Sequence, residues 1–168
     1  MLRVLSRTRV RDERGLALTE FALVLPVLMV LFLGMLDLGK AFNYWIDTTH
    51  LANKGARWAA VNQNPGACST PAISLQAYVR SEAETSELRN GGTISIASPL
   101  QVEILRPLGT NVGRPVEVRV STTYSFIPFV GRKIGILTHT ISGTATMRME
   151  QVGSSYETGF GGTALGLC

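Results

Sequence analysis

An apolar run of 21 residues, Leu16 to Leu36, constrains this chain more than any other feature, and its only charge is Glu20. A helix of that length reaches about 31 Å at about 1.5 Å per residue, enough to cross a hydrocarbon core. A secretory signal peptide is the competing reading. Its apolar core is about 7–15 residues long and precedes an A-x-A-like site. This run is longer, and no such site directly follows Leu36. A carboxylate inside a span costs about 2.5–3.5 kcal/mol at the helix centre and less near the end. Glu20 is therefore either a helix-end residue whose side chain reaches the interface or a group with a purpose. A positive partner at the same depth would offset the cost. Cutting after Gly15 would create one, the α-amine of Leu16.

Charge sets the direction of the span. Residues 1–15 hold Arg3, Arg7, Arg9, Arg11 and Arg14 against Asp12 and Glu13, which is +3 of the total +4. The basic balance is thus a topology signal and not a nucleic-acid footprint. Positive flanks stay cytoplasmic, so the N-terminus is expected inside and residues 37–168 outside. The expected organisation is a basic leader (1–15), a membrane helix (16–36) and an exported domain (37–168). Cys68 and Cys168 both fall on the exported side. An even count in an oxidising compartment allows one bridge, with two unpaired thiols as the alternative. The bridge would close a loop worth ~4–5 kcal/mol in the chain-entropy account.

Beyond Asp37 the helix need not stop. Leu38, Phe42, Trp45, Thr49, Ala52, Ala56 and Ala59 recur at steps of four and three, which predicts one buried helical face. Tyr44 and Trp45 lie where aromatic belts form. One long helix is expected from about Leu16 to Val61, with Asn64-Pro65-Gly66 as the breaker. Pro26 falls inside it, where membrane helices tolerate proline. A second helix is expected over Ile73–Leu88, stopped by Asn90-Gly91-Gly92. Strict alternation follows in Leu100–Ile104, Val116–Phe126 and Ile141–Met149, and Thr93–Ile96 adds a candidate short strand. Alternation of this kind means a sheet with one buried and one wet face. The fold class is α+β: an antiparallel meander packed on a helical spine. The Gly-rich segment 153–168 is expected to be mobile unless Cys168 is tied down.

The residues around the span carry a resemblance. Arg14-Gly15-Leu16-Ala17-Leu18-Thr19-Glu20-Phe21 resembles the processing site of type IV pilin-like precursors, a basic leader ending in Gly and then Glu at the fifth mature position. Glu20-Phe21-Ala22-Leu23-Val24-Leu25-Pro26, Asp37-Leu38-Gly39-Lys40-Ala41-Phe42 and Ala52-Asn53-Lys54-Gly55-Ala56-Arg57-Trp58-Ala59-Ala60 narrow it. They resemble the TadE-like (TadE/TadG) pseudopilins of the bacterial tight-adherence (Tad, Flp pilus) system. The close resemblance covers roughly residues 13–62. Two positions depart: Phe21 stands where Flp-type sites usually have Tyr, and Leu16 where type IV pilins commonly have Phe. The resemblance implies a pilin-like fold and cleavage between Gly15 and Leu16 by a membrane prepilin peptidase. It also implies Glu20 and Phe21 as the processing and subunit-alignment motif. The implied partners are the inner membrane, that peptidase, other pilin-like subunits and the Tad assembly machinery.

No catalytic constellation stands out. His50 and His139 have no metal-ligand spacing to Cys or carboxylate, and no cofactor is expected. Glu82, Glu84 and Glu87 read as the solvated face of a polar helix. Gly131-Arg132-Lys133-Ile134-Gly135 lacks a phosphate-loop pattern and reads as a turn. Arg57 and Trp58 are either a partner contact or a helix edge under the sheet. The expected function is assembly of Tad pili by a membrane pseudopilin that is a peptidase's substrate and not an enzyme. The alternative is an uncleaved single-pass protein whose external β domain binds a ligand or partner.

Overall fold

The computed structural model describes residues 13–126, 138–153 and 159–160. The expectations for the basic leader before Glu13, for the turn at Gly131–Gly135 and for Cys168 lie outside the described residues. Two compact units divide after Leu36: one runs to Leu36 and the second begins at Asp37.

Helix α1 spans Glu13–Ala60 with Pro26 inside it. Its first part is exposed throughout; the stretch is long and apolar enough to cross a membrane and none of it is buried. Its end is built by Asn62, which takes a left-handed φ of 54°. The Gln63 N–H then donates to the Trp58 carbonyl at 3.0 Å and the Asn62 N–H to Ala59 at 3.3 Å. These two bonds satisfy carbonyls that the last turn leaves open. A short 3-10 turn, Pro65–Cys68, follows, capped by the Asn64 side chain.

The second helix expected over 73–88 is two helices. α2 is Leu75–Ser81 and α3 is Ser86–Asn90. Ser74 and Thr85 each cap one, their hydroxyls accepting from Ala77 N–H at 3.2 Å and Leu88 N–H at 3.3 Å. A Thr that can satisfy orphan amides favours a new start over continuation. Ala83, between them, is buried.

Three strands form the meander: β1 Gln101–Leu105, β2 Pro115–Ser125 and β3 Thr138–Arg148. β2 pairs antiparallel with β1 (Val102 opposite Val120) and along its full length with β3 (Val118 opposite Ala145). A two-residue strand β4, Gly159–Phe160, pairs with β1 on the far edge, giving the order β3-β2-β1-β4. The meander expectation therefore gains a returning edge, and two residues of the segment expected to be mobile are paired. Thr93–Ile96 is no strand; Ile96 makes a single bridge to Tyr124.

Alternation in the strands sends Val102, Ile104, Val116, Val118, Val120, Tyr124, Ile141 and Ala145 inward. α1 meets them with Ala41, Tyr44, Leu51, Ala52, Ala56, Ala59 and Ala60. The small residues set the spacing. A Cβ on Gly143 would lie 2.5 Å from the Thr49 amide nitrogen and 2.6 Å from the Thr48 carbonyl oxygen. β3 therefore crosses the helix backbone at a distance that only glycine allows. Leu51, Leu75, Leu88, Leu100 and Ile104 fill the remainder, each fully buried. A side chain of that size contributes about 1.5–3 kcal/mol on burial.

The expected helical face is half wrong. Ala52, Ala56 and Ala59 are buried, but Leu38, Phe42 and Trp45 are at least half exposed, and Tyr44, expected in the aromatic belt, is fully buried. The sheet sits on the Ala41–Tyr44–Thr48–Ala52 side, where β3 approaches the Thr48–Thr49 backbone at Gly143.

Candidate functional site

The sequence points to Gly15, Leu16, Glu20 and Phe21, and all four lie on exposed turns of α1. Leu16 is 65% and Phe21 58% exposed. Nothing crowds Gly15; an added Cβ there would meet no atom within 4 Å. Helical periodicity puts Leu16 and Glu20 one turn apart on the same face. Thr19 closes that turn, its hydroxyl donating to the Leu16 carbonyl at 2.7 Å. The peptide bond between Gly15 and Leu16 lies in the first turn of α1.

A second set of polar residues gathers where the domain begins. The Tyr124 phenol, at the end of β2, donates to the Asp37 carboxylate. The Tyr44 phenol donates to Glu87 of α3, whose carboxylate also takes Lys40 Nζ at 2.8 Å. The Glu84 N–H donates to Asp47 at 3.1 Å. Lys54 pairs with Glu82. Asp37, Lys40, Tyr44, Asp47 and Lys54 are spaced by three, four, three and seven, so they line one side of α1 and meet a complementary row on β2, α2 and α3. Tyr44 and Tyr124 also touch edge to face, with ring centroids 5.6 Å apart.

These contacts move the titrations. Burial raises both phenols, and the acceptor carboxylates of Glu87 and Asp37 raise them further. The Lys40 ammonium, and then the Tyr44 hydroxyl, hold Glu87 below the usual carboxylate range. Burial raises Asp47, opposed by the amide of Glu84. The hydrogen bond to Glu82 raises Lys54. The expected solvated face holds for Glu82 and Glu84, which are exposed although Glu82 pairs with Lys54 and the Glu84 amide with Asp47; Glu87 departs from it, half-buried between Lys40 and Tyr44. The available signal was on α1, where Asp37, Lys40, Asp47 and Lys54 recur at helical spacing.

His50 and His139 are exposed. Among the described residues no group of three His, Cys, Asp or Glu could hold a metal. Arg57 is exposed, while Trp58 packs partly against the core. Cys68 closes the 3-10 turn. A groove of about 380 Å³ runs between Ala41 and Trp45 of α1, Phe126, and His139–Ser142 of β3.

Comparison with known proteins adds one finding. No curated protein and no solved structure matches the chain. A family does match, and its bounds agree with the geometry. It begins at Gly15, two residues into α1, and stops at Arg57, in the helix's last turn. Over residues 15–57, the exposed apolar stretch and the helical spine of the domain, the chain matches the TadE-like protein family.

Proposed function

We propose that this chain is a membrane-anchored, pilin-like subunit of the Tad (Flp-type) pilus assembly system, matured by a prepilin peptidase. The observation that carries the reading is the coincidence of the TadE-like match, starting at Gly15, with an apolar helical stretch of which none is buried. The positive leader orients that helix with its N-terminus in the cytoplasm and residues 37–168 outside. In this reading 1–15 is the leader, 16–36 the span and 37–168 the exported pilin-like domain. Gly15 and Leu16 are the cut, and Glu20 with Phe21 is the processing and alignment motif. The chain is the peptidase's substrate. The other partners are pilin-like subunits and the assembly machinery in the inner membrane. Cys68 and Cys168 form one bridge outside the cytoplasm, and no cofactor takes part.

Intact-mass spectrometry and N-terminal sequencing of protein from its native membrane test this together. The mature chain starts Leu-Ala-Leu-Thr-Glu and is two hydrogens lighter than the dithiol. Gly15→Val leaves the precursor uncut, because the peptidase needs a small residue at the junction. A native start at Met1 would support the uncleaved single-pass alternative instead.

A further inference from the structure

The sheet has one partly covered edge and one open edge. β4 pairs with β1 and covers part of that side. On the other side β3 is the last strand in the order, and among the described residues no strand pairs with its outer edge. β3 is eleven residues long, Thr138–Arg148, where strands usually have about 5–6. In an antiparallel ladder alternate residues turn both N–H and C=O away from the paired strand, so about half of β3 presents a row of donors and acceptors outward. Such edges are usually blunted by charge, proline or a bulge. From Thr138 to Met147 β3 has no proline and no Lys, Arg, Asp or Glu. Its pairing with β2 runs without a bulge.

Two grooves open on this edge, one toward each end. The groove between Ala41, Trp45 and Phe126 has His139–Ser142 of β3 as its other wall. Successive strand residues point to opposite faces, so a groove touched by four in a row lies along the strand's edge and not over one face. The second, about 460 Å³, lies between Arg57, Ala60 and Val61 of α1 and Met147, Arg148 and Glu150 at the end of β3. Between the two, Gly143 closes against the Thr48–Thr49 backbone.

The backbone row fixes the class of occupant. Only an extended chain repeats donors and acceptors at strand spacing, so what completes this edge is another strand. The grooves fix its side chains. Directly opposed residues of paired strands share a face. Ile141 and Met147 both pack inward and stand six positions apart, about 20 Å at about 3.3 Å per residue. A side chain opposite Ile141 meets Ala41, Trp45 and Phe126, which suits an apolar group. A side chain opposite Met147 meets Arg57 and Arg148. Both are exposed, and neither has an ion pair among the described residues. Glu150 lines the same groove and pairs with neither, which leaves the lining at +1 and suits a carboxylate. β3 itself has no Asp or Glu, so the same edge of a second copy does not supply one.

We propose that the outer edge of β3 is a strand-addition site for an extended segment of a partner protein. The segment runs antiparallel to β3, sets an Asp or Glu against Arg57 and Arg148, and six residues later sets an apolar side chain against Trp45 and Phe126. The site lies wholly in the unit that begins at Asp37. It stands whether or not the chain is cut at Gly15 or serves a pilus.

Full-length protein in detergent micelles and the fluorescein-labelled peptide Thr-Glu-Thr-Ala-Thr-Ala-Thr-Leu-Thr test it. Fluorescence anisotropy is expected to show saturable binding, and hydrogen exchange to slow in residues 138–148 and not in β1. Lys in place of the peptide's Glu is expected to weaken binding about tenfold. Of two peptides N-methylated at alternate positions, only one loses binding, because only every second amide faces β3. Arg148→Glu, at an exposed position, turns the lining to −1 and reverses the preference between the Glu and Lys peptides. Unchanged exchange in β1 and β2 of that variant shows that it folds. Absence of saturable binding up to about 1 mM peptide, equal affinity for the Glu and Lys peptides, or equal affinity for the two methylated peptides would each overturn the proposal. So would protection of 138–148 that grows with protein concentration in the absence of peptide, which would assign the edge to a second copy.

Discussion

The phenol of Tyr124 donates to the carboxylate of Asp37, 87 positions earlier in the chain. The bond ties the end of β2 to the first residue of the domain's share of α1. With Lys40, Tyr44 and Glu87 it makes a clasp at the point where the helix enters the sheet. Tyr124 is fully buried and its ring also packs edge to face on Phe126, centroids 4.9 Å apart.

Tyr124→Phe keeps those ring contacts and deletes only the donor. Leaving a carboxylate without its buried donor costs about 1–3 kcal/mol. Denaturant unfolding of the domain that begins at Asp37 is expected to show that loss. Hydrogen exchange is expected to quicken most in residues 37–44. Uniform acceleration across the sheet would mean that the phenol is ordinary core and not a clasp.

Gly143 makes a sharper steric prediction. An alanine there must move the Thr48–Thr49 backbone, because its Cβ would sit 2.5 Å from a main-chain nitrogen. Overpacking of this kind costs about 1–3 kcal/mol. Thr144→Ala, on the exposed face one residue away, is the control and is expected to stay within about 0.5 kcal/mol. Equal melting temperatures for the two variants would show that helix and strand can separate freely.

Acid stability follows from Glu87 and Asp47, with opposite signs. Glu87 is held low by Lys40 and Tyr44. Its stabilisation is therefore present above the unfolded carboxylate range and is lost as pH falls through the lower folded value. Asp47 is raised by burial. Its charge opposes folding at neutral pH, and that penalty disappears as acid protonates it. Glu87→Gln is expected to destabilise at pH 7 and to flatten the acid limb. Asp47→Asn keeps an acceptor for the Glu84 amide and is expected to match or exceed the parent at pH 7. Urea titrations from pH 3 to 7 read both effects.

The strands and the long helix were legible because period and burial agree in them: Val116, Val118 and Val120 alternate and are buried as alternation requires. The helical face misled at Leu38, Phe42 and Trp45. Hydrophobicity alone cannot tell a face that packs on its own sheet from one that stays exposed. The deciding residue, Gly143, lies about a hundred positions away. The clasp was hidden for a similar reason. Glu82 and Glu87 look solvated in their own helices and acquire partners only when α2 and α3 are brought against Lys54, Lys40 and Tyr44. β4 is two residues long, one of them Gly, and no local pattern marks it.

Glu20 carries the last prediction. It sits one turn from Leu16 on an exposed helix face, and a lone carboxylate at membrane depth is penalised unless a positive group joins it. In the proposed maturation, cleavage at Gly15 would supply the α-amine, on the same chain or on a neighbour. Glu20→Ala is therefore expected to leave membrane insertion intact and to weaken association with other pilin-like subunits about tenfold, equivalent to about 1.4 kcal/mol. The pairing also fixes how substitutions combine. In the uncut Gly15→Val precursor the amine is absent, so adding Glu20→Ala is expected to change association no further. Crosslinking of all four proteins in membranes, with counts of assembled pili, gives the cycle. Additive losses, or a Glu20→Ala protein that associates and assembles like the parent, would leave Glu20 as a helix-end residue whose side chain reaches the interface.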